Sequence, residues 1–84
     1  MKIAVVDDER PARSELKYLI SQCEPNAEIA EADDSETFLE MLDSESFDVC
    51  FVDINLGGMN GTTLASMIKR KQPDTLIIFA TAFQ

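Results

Sequence analysis

Three aspartates and one threonine follow directly after apolar runs in this sequence, where side chains could do chemistry. Asp7 and Asp8 follow the run 3–6, Asp53 follows the run 49–52, and Thr81 follows 76–80. Because ligands of an open parallel sheet bind outside the carboxyl ends of its strands, we expect these side chains to lie close together. Clustered carboxylates repel one another, and a divalent ion such as Mg²⁺ or Mn²⁺ best explains them.

An aspartate held beside such an ion can also act as a nucleophile toward phosphorus and form an aspartyl phosphate. Thr81 is placed to hydrogen-bond a phosphoryl oxygen at the same edge. The alternative for Asp7 or Asp8 taken singly is that its carboxylate caps the following helix. Three carboxylates and a hydroxyl at one sheet edge favour a functional site over capping.

The sequence patterns of strands and helices alternate along the chain, and these elements must position the site residues. Apolar runs, and one run that alternates apolar and acidic residues, predict four strands: 3–6, 27–32, 49–52 and 76–80. The segments between them carry apolar residues at helical spacing. Pro11 suits the first turn of the first helix, while Ser35 and Asn60 are the predicted caps of the second and third. On the first helix, helical spacing places four apolar residues on one face: Leu16, Leu19, Ile20 and Cys23.

This order of elements predicts an α/β fold of the flavodoxin-like type. With right-handed crossovers the first strand lies centrally, the second on one side and the third on the other. We therefore predict a doubly wound parallel sheet of four strands in the order 2-1-3-4, covered by three helices. Asp7 and Asp53 then end neighbouring strands, and no cation of the sequence is predicted beside them.

The composition restricts the partners that this segment can have. Seven basic against sixteen acidic residues give a net charge of −9 over 84 residues, enough for one small domain. Such a segment repels nucleic-acid phosphates and anionic membranes. Cys23 and Cys50 are too few for a disulfide framework or a metal knuckle. There is no signal sequence and no run long enough to span a bilayer, so we expect a cytoplasmic protein without membrane contact.

These residues together resemble the response regulator receiver (CheY-like) family over all 84 positions. The resemblance rests on Val-Val-Asp-Asp-Glu at 5–9, Asp-Ile-Asn-Leu at 53–56 with Gly61 beyond it, and Phe-Ala-Thr-Ala at 79–82. The stretch 7–16 also resembles receivers that precede a LytTR-type DNA-binding domain. The resemblance implies a phosphorelay protein and not an enzyme.

The resemblance also implies a role for each site residue. Asp53 would be the phosphoacceptor, and a histidine kinase would be the donor. Asp8 and Asp53 would bind Mg²⁺ (or Mn²⁺) directly, Asp7 through water, and Asn55 through its backbone carbonyl. Thr81 would be the switch hydroxyl that communicates phosphorylation to an output domain regulating transcription.

The sequence departs from the family pattern in two respects. Gly57 stands where many members have proline. The family fold continues through a fourth helix, a fifth strand and a fifth helix, so residues 1–84 are predicted to be the first part of a receiver domain. DNA contact would then require a C-terminal output domain, and the uncovered strand 76–80 would favour a homodimer.

Two other classes of function compete with this interpretation. A phosphatase of the haloacid dehalogenase kind also uses an aspartate nucleophile. That class carries the motif Asp-x-Asp at the first strand, whereas here Asp53 follows the third strand and the residue two positions later is Asn55. A receiver-like scaffold for interaction or dimerisation, without phosphotransfer, is the other alternative.

Overall fold

The computed structural model of the protein describes residues 1–56 and 59–80. Within these residues strands and helices alternate in the predicted order. Their bounds are β1 (Lys2–Val6), α1 (Arg10–Cys23), β2 (Glu28–Ala32), α2 (Ser35–Met41), β3 (Val49–Asp53), α3 (Gly61–Lys71) and β4 (Leu76–Ala80). The strands agree with the sequence patterns to within one residue at either end.

All pairings between the strands are parallel, and the sheet order is β2-β1-β3-β4. The predicted order is therefore confirmed. β1 is a central strand, with β2 on one side and β3 on the other. Val6 is in register with Val52, and Asp53 is in register with Ala80. This register brings the ends of β1 and β3 to the same level, where the functional residues begin.

β1 is apolar from Ile3 to Val6 because helices cover both of its faces. Ala4 and Val6 of β1 belong to the core beneath α2 and α3, together with Phe38 and Leu64. The alternate side chains Ile3 and Val5 pack beneath α1 instead, against Ile20. Side chains of a strand alternate between faces, so an uninterrupted apolar run was needed to fill two cores.

The inward face of α1 is narrower than the apolar spacing predicted. Ile20 is buried, but Leu19 is 51% exposed and Cys23 is also exposed. Both line an open apolar groove with Phe51 and Ile78 on the α1 side of the sheet. Of the predicted apolar face, Leu16 and Ile20 therefore pack into the core, whereas Leu19 and Cys23 do not, since in the described residues α1 alone packs on this side of the sheet.

The caps of the shorter helices fall differently from one another. Asn60 caps α3 as predicted, and its side chain accepts a hydrogen bond from Thr62 N. The cap of α2 is Asp34, not Ser35, because the Asp34 carboxylate accepts the Thr37 N–H at 2.7 Å. This bond holds the pKa of Asp34 below its usual value. Ser35 is buried as the first residue of the helix.

β4 is the most exposed strand of the sheet. Leu76, Ile78 and Phe79 are 56%, 39% and 42% exposed. Within the described part of the chain β4 pairs with β3 alone, so its outer edge offers unpaired backbone groups. An apolar strand with an open edge can pair with another chain.

Candidate functional site

Three carboxylates meet at the carboxyl end of the two central strands. β1 ends at Val6, so Asp7 and Asp8 are the next two residues, and Asp53 is the last residue of β3. One carboxylate oxygen from each of Asp7, Asp8 and Asp53 lies within 4.8 Å of the other two. The predicted cluster is therefore present, and the parallel pairing of β1 with β3 is what assembles it.

Burial divides the cluster into an inner and an outer part. Asp7 and Asp53 are each only 8% exposed, whereas Asp8 is exposed. The cluster is therefore open to solvent on the side of Asp8.

The two buried carboxylates are held by the loops that follow them. Asp7 Oδ1 accepts a hydrogen bond from Glu9 N at 2.9 Å, and Asp53 Oδ1 accepts one from Asn55 N at 3.1 Å. In both cases an aspartate binds the N–H two residues ahead, as in an Asx turn. An ionised carboxylate has about four acceptor positions on its two oxygens, so these bonds leave capacity for a further ligand.

Burial raises the pKa of Asp7 above its ordinary value. The hydrogen bond from Glu9 N opposes this shift, and the negative charges of Asp53 and Asp8 add to it. The charged form of Asp7 is thus disfavoured by its surroundings. A cation bound among the three carboxylates would reverse that balance, because it favours the charged form of each.

The geometry fits a small divalent ion. Mg²⁺ binds oxygen at about 2.0–2.1 Å, so oxygens on opposite sides of one ion are about 4.2 Å apart. The separations of at most 4.8 Å within the cluster are close to this span. Carboxylate oxygens are also the ligand type that Mg²⁺ and Mn²⁺ prefer. Asp7, Asp8 and Asp53 thus form a group that could hold such an ion.

Of the remaining predicted site residues, the structure describes Asn55 but not Thr81. Asn55 lies on the loop after β3 and donates its N–H to Asp53, while a metal contact from its carbonyl stays a prediction. Thr81, with its predicted role as the switch hydroxyl, lies outside the described residues, as does Gly57.

Gly61 supports Asp53 in a way that the sequence marks only by spacing. Its N–H donates to Ile54 O at 2.9 Å, which brings the start of α3 against the end of β3. A Cβ at this position would lie 2.8 Å from Ile54 Cα and would overlap the Asp53 carbonyl oxygen. Only glycine allows the two backbones to approach so closely.

A cation lies nearer to the cluster than predicted. Arg13 on α1 donates from Nη1 to the backbone carbonyl of Asp7 at 2.9 Å. Lys2 and Lys71 make ion pairs elsewhere, with Glu45 and Asp43. Sequence reasoning overlooked Arg13, which stands on a different element six residues after Asp7.

Comparison with known proteins places this geometry in a family. The sequence profile of the response regulator receiver domain matches residues 3–84. The sensory transduction protein LytR of Staphylococcus haemolyticus is 46% identical over 82 residues, 98% of this chain and 32% of that protein. The sensory transduction protein LytT of Bacillus anthracis is 42% identical over 83 residues, 99% of this chain and 34% of that protein. The chain thus spans about a third of the length of these relatives.

A solved structure shows the same fold. The response regulator TrrA of Thermotoga maritima, in complex with Mg²⁺ and beryllium fluoride, superposes with a TM-score of 0.86 at 34% identity. The match covers 99% of this chain and 70% of TrrA. TrrA has also been solved in complex with the histidine kinase ThkA.

None of the helices within residues 1–56 and 59–80 has the length and apolar character of a membrane span.

Replacing Asp7 with asparagine should stabilise the metal-free protein. Asparagine keeps the acceptor for Glu9 N but removes a buried negative charge, so unfolding should require on the order of 1 kcal/mol more free energy at neutral pH. The gain should be largest above the raised pKa of Asp7 and vanish as the pH falls toward 3.8, its ordinary value, where wild-type Asp7 is protonated too. Urea titrations at several pH values measure this, with the exposed Glu15→Gln as control. Equal stability of Asp7→Asn and wild type at pH 7 would contradict the electrostatic account.

Gly61→Ala tests the close approach at Asp53. Helix propensity alone predicts that alanine stabilises α3 by up to about 1 kcal/mol. The overlap with the backbone of Asp53 and Ile54 predicts the opposite, a loss of about 1–3 kcal/mol. Thermal unfolding distinguishes the two signs, and Thr63→Ala, at an exposed position on the same helix, is the control. A stabilised Gly61→Ala variant would show that the strand end accommodates the methyl group.

Proposed function

This chain belongs to the response regulator receiver family, and on that basis we propose that Asp53 accepts a phosphoryl group from a histidine kinase. One observation carries the proposal: the buried carboxylate of Asp53 lies within 4.8 Å of two further carboxylates at the end of a central strand. This arrangement gives an aspartate nucleophile, a cation-binding group and an opening to solvent at one place. The phosphorylated domain would then act on an output domain as a switch.

The proposed reaction transfers a phosphoryl group from a histidine nitrogen of the kinase to a carboxylate oxygen of Asp53. A carboxylate oxygen of Asp53 attacks the phosphorus of a phosphohistidine, the new O–P bond forms, and the N–P bond breaks with its electron pair remaining on the imidazole. The hydrogen bond from Asn55 N to Oδ1 orients the carboxylate for this attack. The bond fixes one oxygen toward the loop and leaves the other as the nucleophile.

Mg²⁺, or Mn²⁺, is the proposed cofactor of this step. Asp8 and Asp53 would bind it directly, Asn55 through its backbone carbonyl, and Asp7 through water. When bound, the ion supplies positive charge that neutralises the phosphoryl oxygens and the surrounding carboxylates. The proximity of the three carboxylates supports this proposal, as does the Mg²⁺ complex of TrrA.

The partners are proposed from the relatives. TrrA has been solved with a histidine kinase, which supports a kinase as the donor. The LytR protein of Staphylococcus aureus is named a transcriptional regulatory protein, which supports an output on transcription. Because residues 1–84 carry a net charge of −9, DNA contact would belong to a separate output domain. Thr81 would be the switch hydroxyl, and the protein would act in the cytoplasm.

We also propose a second function for the exposed strand, as a surface for association between two copies of this chain. The apolar side chains and open edge of β4 favour it. This association would accompany phosphotransfer and would replace it only if the scaffold alternative holds.

Phosphodonor labelling tests the assignment of Asp53. In the full-length regulator, acetyl phosphate with Mg²⁺ should label the wild type to at most one phosphoryl group per chain, and Asp53→Asn should abolish the label. Asp48→Asn is a matched control, since Asp48 precedes β3 at the end of the strand opposite to Asp53. A label retained in Asp53→Asn would refute the acceptor, continuous phosphate release would favour a phosphatase, and no label would favour the scaffold.

Size exclusion with light scattering tests the association. A polypeptide of residues 1–84 should form dimers at micromolar concentration, and Ile78→Lys with Phe79→Lys should shift it toward monomers by charging the exposed strand. Tyr18→Lys, at an exposed position on α1, should leave the dimer intact. A monomer that unfolds cooperatively and shows no change with concentration would contradict the proposal.

A further inference from the structure

We propose that Arg13 is a positioning residue of the metal site, which fixes the peptide between Asp7 and Asp8 and thereby presents the Asp8 carboxylate to the ion. This inference rests on the proposed function, because it assigns a support to the same site. It concerns a residue outside the three carboxylates that could hold the ion.

The guanidinium of Arg13 joins two acceptors on different elements. Nη1 donates to the backbone carbonyl of Asp7 and Nε donates to Glu31 Oε1, each at 2.9 Å. The Arg13 side chain is only 13% exposed, so water competes little for these bonds. The acceptor on Asp7 is the carbonyl of the peptide that leads into Asp8, which makes this bond a direct constraint on the orientation of that peptide.

Glu31 provides a firm anchor for the guanidinium. It lies on β2, and its second carboxylate oxygen pairs with Lys17 Nζ at 2.5 Å. Lys17 and Arg13 together lower the pKa of Glu31, so the carboxylate stays charged through the neutral range. The same turn is also tied to β2 through the backbone, since Asp7 N donates to Ala32 O at 3.1 Å. β2 thus acts as a frame that holds the start of the Asp7–Asp8 turn at two points.

Asp8 needs this support more than the other carboxylates do. Asp7 and Asp53 are buried and packed, whereas Asp8 is exposed, so the packing of a core does not determine where its carboxylate lies. The direction in which the backbone leaves β1 sets which positions that carboxylate can reach. A rotation of the Asp7–Asp8 peptide would carry the Asp8 carboxylate away from the other two.

Only an arginine has the geometry for this role. Its planar guanidinium carries five N–H donors in a rigid fork and can hold two acceptors in fixed directions. A lysine at the same place keeps the charge but offers a single nitrogen on a flexible stem. We therefore expect that Arg13→Lys does not restore the function of the arginine.

The direction in which Mg²⁺ affinity changes in Arg13 variants tests this proposal. The positive charge of Arg13 opposes cation binding, so its removal by Arg13→Gln would tighten Mg²⁺ binding if charge alone mattered. A positioning role predicts the reverse, a loss of about tenfold in affinity, as is typical when a residue that orients metal ligands is changed. Arg13→Lys should lose nearly as much as Arg13→Gln. Calorimetry with MgCl₂ on the full-length protein, supported by Mn²⁺ electron paramagnetic resonance, measures both.

Lys17→Gln is the matched control. It removes one positive charge and the other partner of Glu31, but it leaves the bond from Arg13 to the Asp7 carbonyl in place. Its Mg²⁺ affinity should stay within about twofold of the wild type. Glu31→Gln, which removes the charge that anchors Arg13, should weaken Mg²⁺ binding by an intermediate factor. This variant decides the question if Arg13→Gln does not fold, as judged by circular dichroism.

Two results would overturn the inference. Unchanged or tighter Mg²⁺ binding in folded Arg13→Gln would do so while the wild type still binds Mg²⁺ and labels at Asp53, which leaves the proposed function intact. Equal weakening in Lys17→Gln and Arg13→Gln would also do so, because it would trace the effect to Glu31 and not to the Asp7 carbonyl. Failure of the wild type itself to bind Mg²⁺ would instead remove the metal site on which both proposals rest.

Discussion

The parallel pairing of β1 with β3 is the interaction on which the rest of this structure depends. It holds Asp7 and Asp53 side by side although both carboxylates are buried and repel each other. At 4.8 Å, the largest separation within the cluster, two unit charges repel each other by about 3–4 kcal/mol in an effective dielectric of about 20. Burial of a single valine or leucine side chain stabilises the fold by about 1.5–3 kcal/mol, and the two strands bury several. The apolar core therefore outweighs the repulsion.

The carboxylates of this cluster are oriented by hydrogen bonds and by contacts with two helices. Each buried aspartate is oriented by the N–H two residues ahead, and the backbone near each is fixed by a contact from a helix. Arg13 of α1 holds the carbonyl of Asp7, and Gly61 of α3 lies against the carbonyl of Asp53. The two helices thus contact the two strand ends from opposite faces of the sheet. Rigid support of this kind limits the reorganisation needed when a ligand arrives.

The helices cover the sheet unevenly. β1 is covered on both faces, whereas β4 leaves its apolar side chains largely exposed. Ala80 at the end of β4 is in register with Asp53. Any surface that binds β4 therefore acts one strand away from the proposed acceptor. A single pair of strands thus separates Asp53 from that surface.

The sequence by itself determined the strands, their order and the members of the carboxylate cluster. Short uninterrupted apolar runs favour strands buried on both faces, and the handedness of crossovers then places β1 and β3 together, so Asp7, Asp8 and Asp53 were expected to converge. The sequence did not determine which residue caps α2, because Asp34 and Ser35 are both good caps and only the backbone direction selects between them. Nor did it show that Leu19 is exposed, because exposure depends on what else covers that face of the sheet. The contact of Arg13 with Asp7 and the approach of Gly61 to Asp53 were decided by tertiary structure alone. Both depend on distances of a few ångströms between different elements, which residue types and spacing along the chain do not specify.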